Sequence, residues 1–158
     1  MPYGSSPPPE GAPVPPQELI GASIFLGLVS VVSISRHGSY LITLGTGRSA
    51  LDVVSLGVVA LNTVGFTGSL WLLALRRWAW GLCLGYAAIE VFLHLYYALA
   101  DLAPGILARG SAQWLGGVGE LALGLVFVVV LAFLSGAETR QQLDAREAYR
   151  RAGSSSGS

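Results

Sequence analysis

Charged residues are scarce in this sequence, and lysine is missing altogether. Asp, Glu, Lys and Arg make up 11% of the 158 residues, with nine Arg and no Lys, whereas soluble domains carry about a quarter. The 53% hydrophobic content and the mean hydropathy of +0.61 therefore indicate a membrane protein. Nucleic-acid binding needs a clustered basic face and a phosphate-binding loop needs a Lys, so both are excluded.

Cysteine and histidine are also rare, which limits disulfide and metal chemistry. The single Cys83 excludes an intramolecular disulfide and a Cys-based zinc site, and we expect it to be a small buried hydrophobe. Di-iron bundles use Glu-x-x-His on two helices, whereas Glu90 and His94 are four residues apart and occur once. Haem ligation by two His is disfavoured because His37 lies beyond the first span and His94 lies inside the third. The sequence also has no Gly-x-Ser-x-Gly elbow, so no catalytic residue is predicted. For the reasons given above, no cofactor and no metal are predicted either.

Four long apolar segments predict an all-α fold. The spans are about 19–36, 51–75, 78–102 and 114–135. Each is long enough to cross a bilayer core of about 30 Å as a helix, and only helices or closed barrels satisfy the backbone in lipid. We therefore predict an antiparallel four-transmembrane-helix bundle over residues 18–136. Residues 39–49 are predicted to be a re-entrant or interfacial loop, and Pro104-Gly105 with Gly110 to form a turn.

The segments outside the bundle differ from it in composition. Residues 1–17 contain seven Pro and predict a disordered arm, with docking on a partner's aromatic groove as the alternative. Residues 137–152 predict a solvated cytoplasmic helix that continues the fourth span, with i,i+4 pairs of opposite charge. Those pairs are Arg140 with Asp144 and Glu147 with Arg151. Residues 153–158 are interpreted as a flexible tail or tag remnant.

The arginines are distributed unequally between the two sides of the predicted bundle. Six lie on the side of the second loop and the carboxyl tail, and three (Arg36, Arg48 and Arg109) lie on the other. Because basic loops stay in the cytoplasm, both termini are predicted to be cytoplasmic. The preference for Arg, with abundant Gly and Ala, is typical of a GC-rich genome, and the predicted location is a bacterial inner membrane.

The ionisable side chains inside the spans are the candidate functional residues, because a charge at the membrane centre is costly. Tyr86, Glu90, His94 and Tyr97 are spaced by 4, 4 and 3 residues, which places them on one face of the third helix. His94 lies about 12 Å and Glu120 about 9 Å below the same end of neighbouring antiparallel helices. We therefore predict an inward polar cluster of Glu90, His94, Tyr97 and Glu120. His94 would contact Glu120 within one chain or between two.

Other residues predict contacts between helices. Arg36 and Asp52, at the outer ends of the first two spans, predict an interfacial ion pair. Asn62 and Thr63 predict interhelical hydrogen bonds at mid-membrane depth. Small residues at close-packing spacing are Gly81 and Gly85 in the third span and Gly116, Gly119 and Gly124 in the fourth.

Three functional hypotheses fit these features. The first is an accessory or scaffold subunit of a larger membrane complex, which is favoured because it requires no specific chemistry from these residues. The second is a small oligomeric proton-linked transporter or channel that uses Glu90, His94 and Glu120. The third is a binder of a lipid-soluble ligand, such as a quinone or pigment, with Tyr86, Tyr97 and His94 as polar contacts.

The three functional hypotheses also differ in what the polar cluster does and in which partners the chain has. Structural hydrogen bonding, binding of a proton or polar ligand, and metal or haem ligation all stay open for the cluster itself. The expected partners are the lipid bilayer and either other membrane subunits or further copies of the chain. Neither nucleic acid nor a nucleotide is expected.

Overall fold

A computed structural model shows a chain built from helices. The structure describes residues 14–44, 50–108 and 111–155, with side chains except those of residues 40, 43, 44, 50–52, 104–108, 111–113 and 153–155. The helices are α1 (Gln17–Leu44), α2 (Ala50–Leu73), α3 (Arg77–Ala108), α4 (Ser111–Leu134) and α5 (Ala137–Ser155). Most of the predicted amino arm and the end of the predicted tail, residues 156–158, lie outside the described residues.

The first four helices are long and apolar enough to cross a membrane. Their candidate spans are Gln17–Ser39, Val53–Leu73, Arg77–Ala103 and Trp114–Leu134. Large apolar side chains cover their outer surfaces, with Phe92 at 70% and Val129 at 68% exposure, as contact with lipid tails allows. The predicted all-α fold with four transmembrane helices is confirmed, and the chain is a multi-pass membrane protein.

The bundle consists of two helical hairpins that pack side by side. α1 packs along α2, α3 packs along α4, and α2 joins the hairpins by packing on α3. α1 and α4 meet at the rings of Phe25 and Phe127, whose centroids are 5.3 Å apart in an edge contact. Phe127 also contacts the buried ring of Tyr86 at 6.2 Å. Cys83 is fully buried in this core, as predicted.

Glycines bring neighbouring helices close together, although not the predicted pair. A Cβ added at Gly65 of α2 would lie 2.7 Å from the ring of Tyr86, and one at Gly117 of α4 would lie 2.7 Å from Leu102. Cβ atoms at Gly81 and Gly85 would meet nothing within 4 Å. The predicted packing role of Gly81 and Gly85 is therefore wrong, because α3 turns a different face toward the bundle.

Two helices extend further than predicted. α1 continues through Gly38 to Leu44, so the first part of the predicted loop is helical, while residues 45–49 lie outside the described residues. α3 continues through Pro104-Gly105 to Ala108, and Gly110 lies outside them. Pro removes one backbone donor and Gly lowers helix propensity. Membrane helices tolerate both, because the freed backbone groups find other partners.

α2 ends in a residue with left-handed backbone conformation. Leu75 has a φ of 51°. The amide of Arg76 donates to the carbonyl of Trp71 (3.1 Å), and that of Leu75 donates to the carbonyl of Leu72 (2.8 Å). This pair of bonds is a Schellman cap, where Gly is usual. Burial of the Leu75 side chain, 3% exposed, offsets a backbone cost of about 1–2 kcal/mol.

α5 is a separate helix that docks on the end of the bundle where α2 meets α3, called here the tail end. α4 ends at Leu134, and the chain bends at Ser135-Gly136. The indole N–H of Trp80 donates to the carbonyl of Leu134 (2.7 Å), the guanidinium of Arg140 lies over the Trp80 ring, and Leu143 is buried. The prediction that this helix simply continues the fourth span is therefore wrong, because its apolar and basic side chains bind the start of α3.

The two predicted ion pairs on α5 have different outcomes. The carboxylate of Asp144 lies 3.1 Å from the guanidinium of Arg77 on α3, so the predicted pairing with Arg140 is replaced by a contact between helices. The Glu147–Arg151 pair is formed at 2.5 Å, as predicted.

Arg150 holds α5 against the end of α2. Its guanidinium donates to the carbonyl of Leu75 (3.3 Å) and to that of Ala74. Burial, and then repulsion from Arg76 and Arg146, lower the pKa of Arg150 below its usual range. Arginine remains protonated at any physiological pH. The cation therefore binds carbonyls that carry the negative end of the α2 dipole.

Candidate functional site

A hydrogen-bonded chain centred on Tyr86 joins three helices inside the bundle. The buried Tyr86 hydroxyl accepts a hydrogen bond from Ser30 of α1 (3.1 Å) and donates one to the side-chain carbonyl of Asn62 on α2 (2.8 Å). The interhelical hydrogen bond predicted for Asn62 is confirmed. Thr63 instead donates to the carbonyl of Val59 in its own helix (2.8 Å), so the prediction for Thr63 is wrong.

Two ionisable residues, Glu90 and His94, lie one and two turns beyond Tyr86 on α3. The Nδ1 atom of His94 lies 2.6 Å from Oε2 of Glu120 on α4, and its Nε2 atom lies 3.7 Å from Oε2 of Glu90. The i,i+4 spacing places Glu90 beside His94, and similar depths on antiparallel helices bring Glu120 to the same level. The predicted contact between His94 and Glu120 is confirmed within one chain, and its role stays a prediction.

α3 and α4 also approach each other closely at this cluster. A Cβ added at Gly124 would lie 3.3 Å from the Cβ of His94, so the glycine lets the α4 backbone come near the imidazole. The ring of Phe127 stacks on the imidazole, with centroids 5.3 Å apart and planes 27° apart. Gly124 and Phe127 follow Glu120 at spacings of 4 and 3 residues, and so share its helix face. Gly124 was predicted to be a close-packing residue, and the spacing could also have identified Phe127 from the sequence, whereas Ser30 has no distinguishing signal.

The three ionisable side chains differ in their access to the surroundings. Side-chain exposure is 9% for Glu90, 15% for His94 and 31% for Glu120. With both carboxylates ionised and the imidazole protonated, the cluster carries a net charge of −1 within an apolar span. One added proton would make it neutral, and Glu120 has the largest exposed fraction of the three side chains.

The geometry separates the two carboxylates around the imidazole. Glu120 approaches Nδ1 and Glu90 approaches Nε2, which lie on different edges of the ring. A single metal ion bound to one imidazole nitrogen would therefore not reach both carboxylates. Within the residues that the structure describes, no group of three or more His, Cys, Asp or Glu side chains could hold a metal ion.

No family model, curated protein or solved structure matches this chain. The functional conclusion accordingly rests on the arrangement of its own side chains.

Tyr97, predicted to join the cluster, lies outside it. Its side chain is 43% exposed, and its ring contacts the ring of Tyr96 in an edge arrangement at 5.6 Å. Both tyrosines are near the end of the third span, where aromatic side chains commonly occupy the membrane interface. The shared helix face was deduced from the spacing, but the Tyr97 side chain stays exposed although α4 packs on α3 beyond this level, at Leu102.

The predicted Arg36–Asp52 pair involves a side chain outside the described residues, that of Asp52. Arg36 is exposed on α1, two turns before the helix ends, instead of at its tip. At the next position, Nδ1 of His37 lies 3.5 Å from the hydroxyl of Ser55 on α2. This contact joins the first hairpin near the end opposite the tail end.

Proposed function

We propose that this chain is a proton-binding subunit of a membrane assembly, in which Glu90, His94 and Glu120 take up and release a proton during proton-linked transport. The observation that carries the proposal is the position of the His94 imidazole, 2.6 Å from one carboxylate and 3.7 Å from another. All three side chains belong to membrane-spanning stretches. A protonatable group held between two others can pass a proton along the row.

The contrast with the neighbouring Tyr86 network supports proton binding over structural bonding alone. Ser30, Tyr86 and Asn62 join three helices using neutral groups. Ionisable residues cost more to place in a membrane, by about 2.5–3.5 kcal/mol for an Asp, Lys or Arg at the helix centre on insertion scales. Neutral side chains join α1, α2 and α3, so the more costly carboxylates and imidazole between α3 and α4 favour a role that needs their charge to change.

An accessory-subunit function is a second proposal, and the exposed edge of Glu120 favours it. A carboxylate with 31% exposure on the surface of an apolar span is a polar group that a further helix would cover. Gly119 beside it leaves room, since an added Cβ would meet nothing within 4 Å. Such a helix could belong to a larger partner or to another copy of this chain, and either would supply the additional walls that a transport path requires.

The hypothesis of a quinone- or pigment-binding protein gains less support. The Phe127 ring stacks on the imidazole, so one face of His94 is already occupied within the chain. Tyr97, a proposed polar contact, is remote from Tyr86 along α3 and is exposed. Colour in the purified protein would revive this hypothesis.

The location and orientation predicted from the sequence stay proposals: a bacterial inner membrane, with both termini in the cytoplasm. Support comes from the tail end, where α5 brings four arginines next to Arg76 and Arg77. Basic residues favour the cytoplasmic side. Carboxyl-terminal fusions should fluoresce with a reporter that matures only in the cytoplasm and remain inactive with a phosphatase that needs the periplasm.

Infrared difference spectroscopy tests the proton site directly. Wild-type protein in phosphatidylcholine vesicles, compared between acidic and alkaline pH, should show a carboxyl C=O band from a group shielded from water. Glu90→Gln or Glu120→Gln should remove or shift this band, whereas Glu138→Gln, which alters an exposed carboxylate on α5, should preserve it. A wild-type band that survives both substitutions in the cluster would refute the proposal.

Proton movement and assembly need separate readouts. Vesicles containing the wild-type chain should take up protons along a pH gradient faster than vesicles containing Glu120→Gln. Purification in mild detergent then distinguishes a homo-oligomer from a complex with larger subunits. Glu90→Gln and His94→Gln variants that retain full activity and cause only a small stability loss would favour the scaffold role over proton coupling.

A further inference from the structure

A basic cleft at the tail end lies apart from the Glu90–His94–Glu120 cluster. It has a volume of about 700 Å³ and lies between the α2–α3 turn, the first turn of α3 and the last part of α5. Four of its lining residues are arginines: Arg76, Arg77, Arg150 and Arg151. They come from segments about 75 residues apart in the sequence, so the docking of α5 is what brings them together.

The cleft retains positive charge after its internal ion pairs are formed. Arg77 contacts Asp144 at 3.1 Å, and Arg151 contacts Glu147 at 2.5 Å. Among the residues that the structure describes, four arginines against these two carboxylates leave a net charge of +2. The side chains of Arg77 and Arg151 are 61% and 77% exposed. Guanidinium groups match the geometry of phosphate oxygens and bind them with paired hydrogen bonds.

The membrane-facing side of the cleft is apolar and open. Trp78, which lines it, is 52% exposed and lies at the start of the third span. Gly81, one turn further, also lines it, and neither Gly81 nor Gly85 has an atom within 4 Å of an added Cβ. An interfacial Trp marks the headgroup level, and a smooth surface below it can receive an acyl chain.

We propose that this cleft binds the phosphate headgroup of an anionic phospholipid, with an acyl chain lying along Gly81 and Gly85. The combination of net positive charge, exposed guanidiniums and an adjoining lipid-facing groove selects a lipid over a soluble anion. It also selects an anionic lipid over a zwitterionic one, because a choline group would place a second cation beside the arginines. Basic pockets at the membrane surface are recognised sites for such headgroups.

Tryptophan quenching by brominated lipids measures this preference, because Trp78 and Trp80 both line the cleft. The protein is reconstituted in phosphatidylcholine vesicles with increasing fractions of brominated phosphatidylglycerol or brominated phosphatidylcholine. At about a five-fold gain in binding per unit of net positive charge, wild type should prefer phosphatidylglycerol by about 25-fold. Equal quenching by the two lipids would overturn the proposal.

Matched variants distinguish binding at a defined site from a general effect of surface charge. Arg76→Gln and Arg151→Gln should each lower the preference about five-fold, and the double variant should abolish most of it. Arg140→Gln removes the same charge from the same end but does not line this cleft, so it should keep the wild-type preference. An equal loss in Arg140→Gln would show diffuse attraction and refute a defined site. Thermal melting of each variant confirms that it is folded.

Inorganic phosphate tests whether the cleft binds a lipid headgroup or a free phosphate ion. Added to vesicles with brominated phosphatidylglycerol, it should leave quenching unchanged at millimolar concentration, because a free anion lacks the acyl chain. Displacement at that concentration in wild type, but not in the double variant, would assign the cleft to a soluble phosphate and overturn the lipid assignment.

Discussion

The Nδ1 atom of His94 on α3 lies 2.6 Å from the Oε2 atom of Glu120 on α4, which links two neighbouring membrane-spanning helices through an ionisable pair. The second imidazole nitrogen lies 3.7 Å from Glu90, one turn earlier on α3. The imidazole therefore has a carboxylate beside each nitrogen. If the cluster binds a proton as proposed, that proton changes the contacts of the imidazole with both helices.

Substitution of this pair should reveal an energetic coupling between the two helices. We expect a double-mutant cycle of His94→Gln and Glu120→Gln to give an interaction free energy of about 0.6–2 kcal/mol, the range of polar contacts between membrane helices. Unfolding in mixed micelles measures the four proteins. Additive effects within about 0.3 kcal/mol would mean that the contact does not contribute to stability.

Gly124→Ala should disturb the cluster without removing any of its ionisable groups. The new Cβ would lie 3.3 Å from the Cβ of His94, so the imidazole must shift away from Glu120. We expect a changed carboxyl band in the infrared difference spectrum and a stability loss of about 1 kcal/mol. Gly119→Ala on the same helix, with nothing within 4 Å, is the control. Identical spectra for wild type and Gly124→Ala would contradict this account.

Gly65→Ala should destabilise the bundle more than Gly124→Ala. Its Cβ would lie 2.7 Å from the ring of Tyr86, which is 2% exposed and held by hydrogen bonds to Ser30 and Asn62. Because the ring cannot move freely, we expect a loss of about 1–3 kcal/mol in unfolding free energy.

The matched control is Gly57→Ala, also on α2, where an added Cβ meets nothing within 4 Å. It should be close to neutral in the same unfolding measurement. Because Ala has the higher helix propensity, propensity alone would not destabilise either variant, and an equal loss in both would mean that the close contact with Tyr86 does not explain the effect at Gly65.

Arg150→Gln should loosen α5 from the tail end while leaving the four spans intact. It removes the charged donor to the carbonyls of Ala74 and Leu75, and a hydrogen bond from a charged group contributes about 1.5–3 kcal/mol. Hydrogen exchange of the α5 amides should speed up by at least about ten-fold. Arg146→Gln, which removes the same charge one turn earlier, is the comparison, and unchanged exchange in Arg150→Gln would mean that other contacts dock the helix.

Much of the site could be deduced from the sequence, because helical periodicity and depth in a membrane are simple geometry. The spacing of Glu90 and His94 places them on one face, and counting residues from the helix ends aligns His94 with Glu120. The same rules failed for Tyr97, because helical spacing alone does not show that its side chain stays exposed at a level where α4 still packs on α3. The same rules wrongly predicted close helix packing at Gly81 and Gly85, because sequence spacing does not reveal which face of α3 meets a neighbour.

The sequence by itself determined that this is a multi-pass helical membrane protein with few polar groups in its spans, because hydrophobicity over about twenty residues is a local property. Tertiary structure decided which of those polar groups meet. It selected Gly65 and Gly117 as points of close approach, stacked Phe127 on His94, and folded α5 back so that distant arginines line one cleft. These outcomes depend on how helix surfaces fit together across long sequence separations, and a pattern read along one helix does not contain that information.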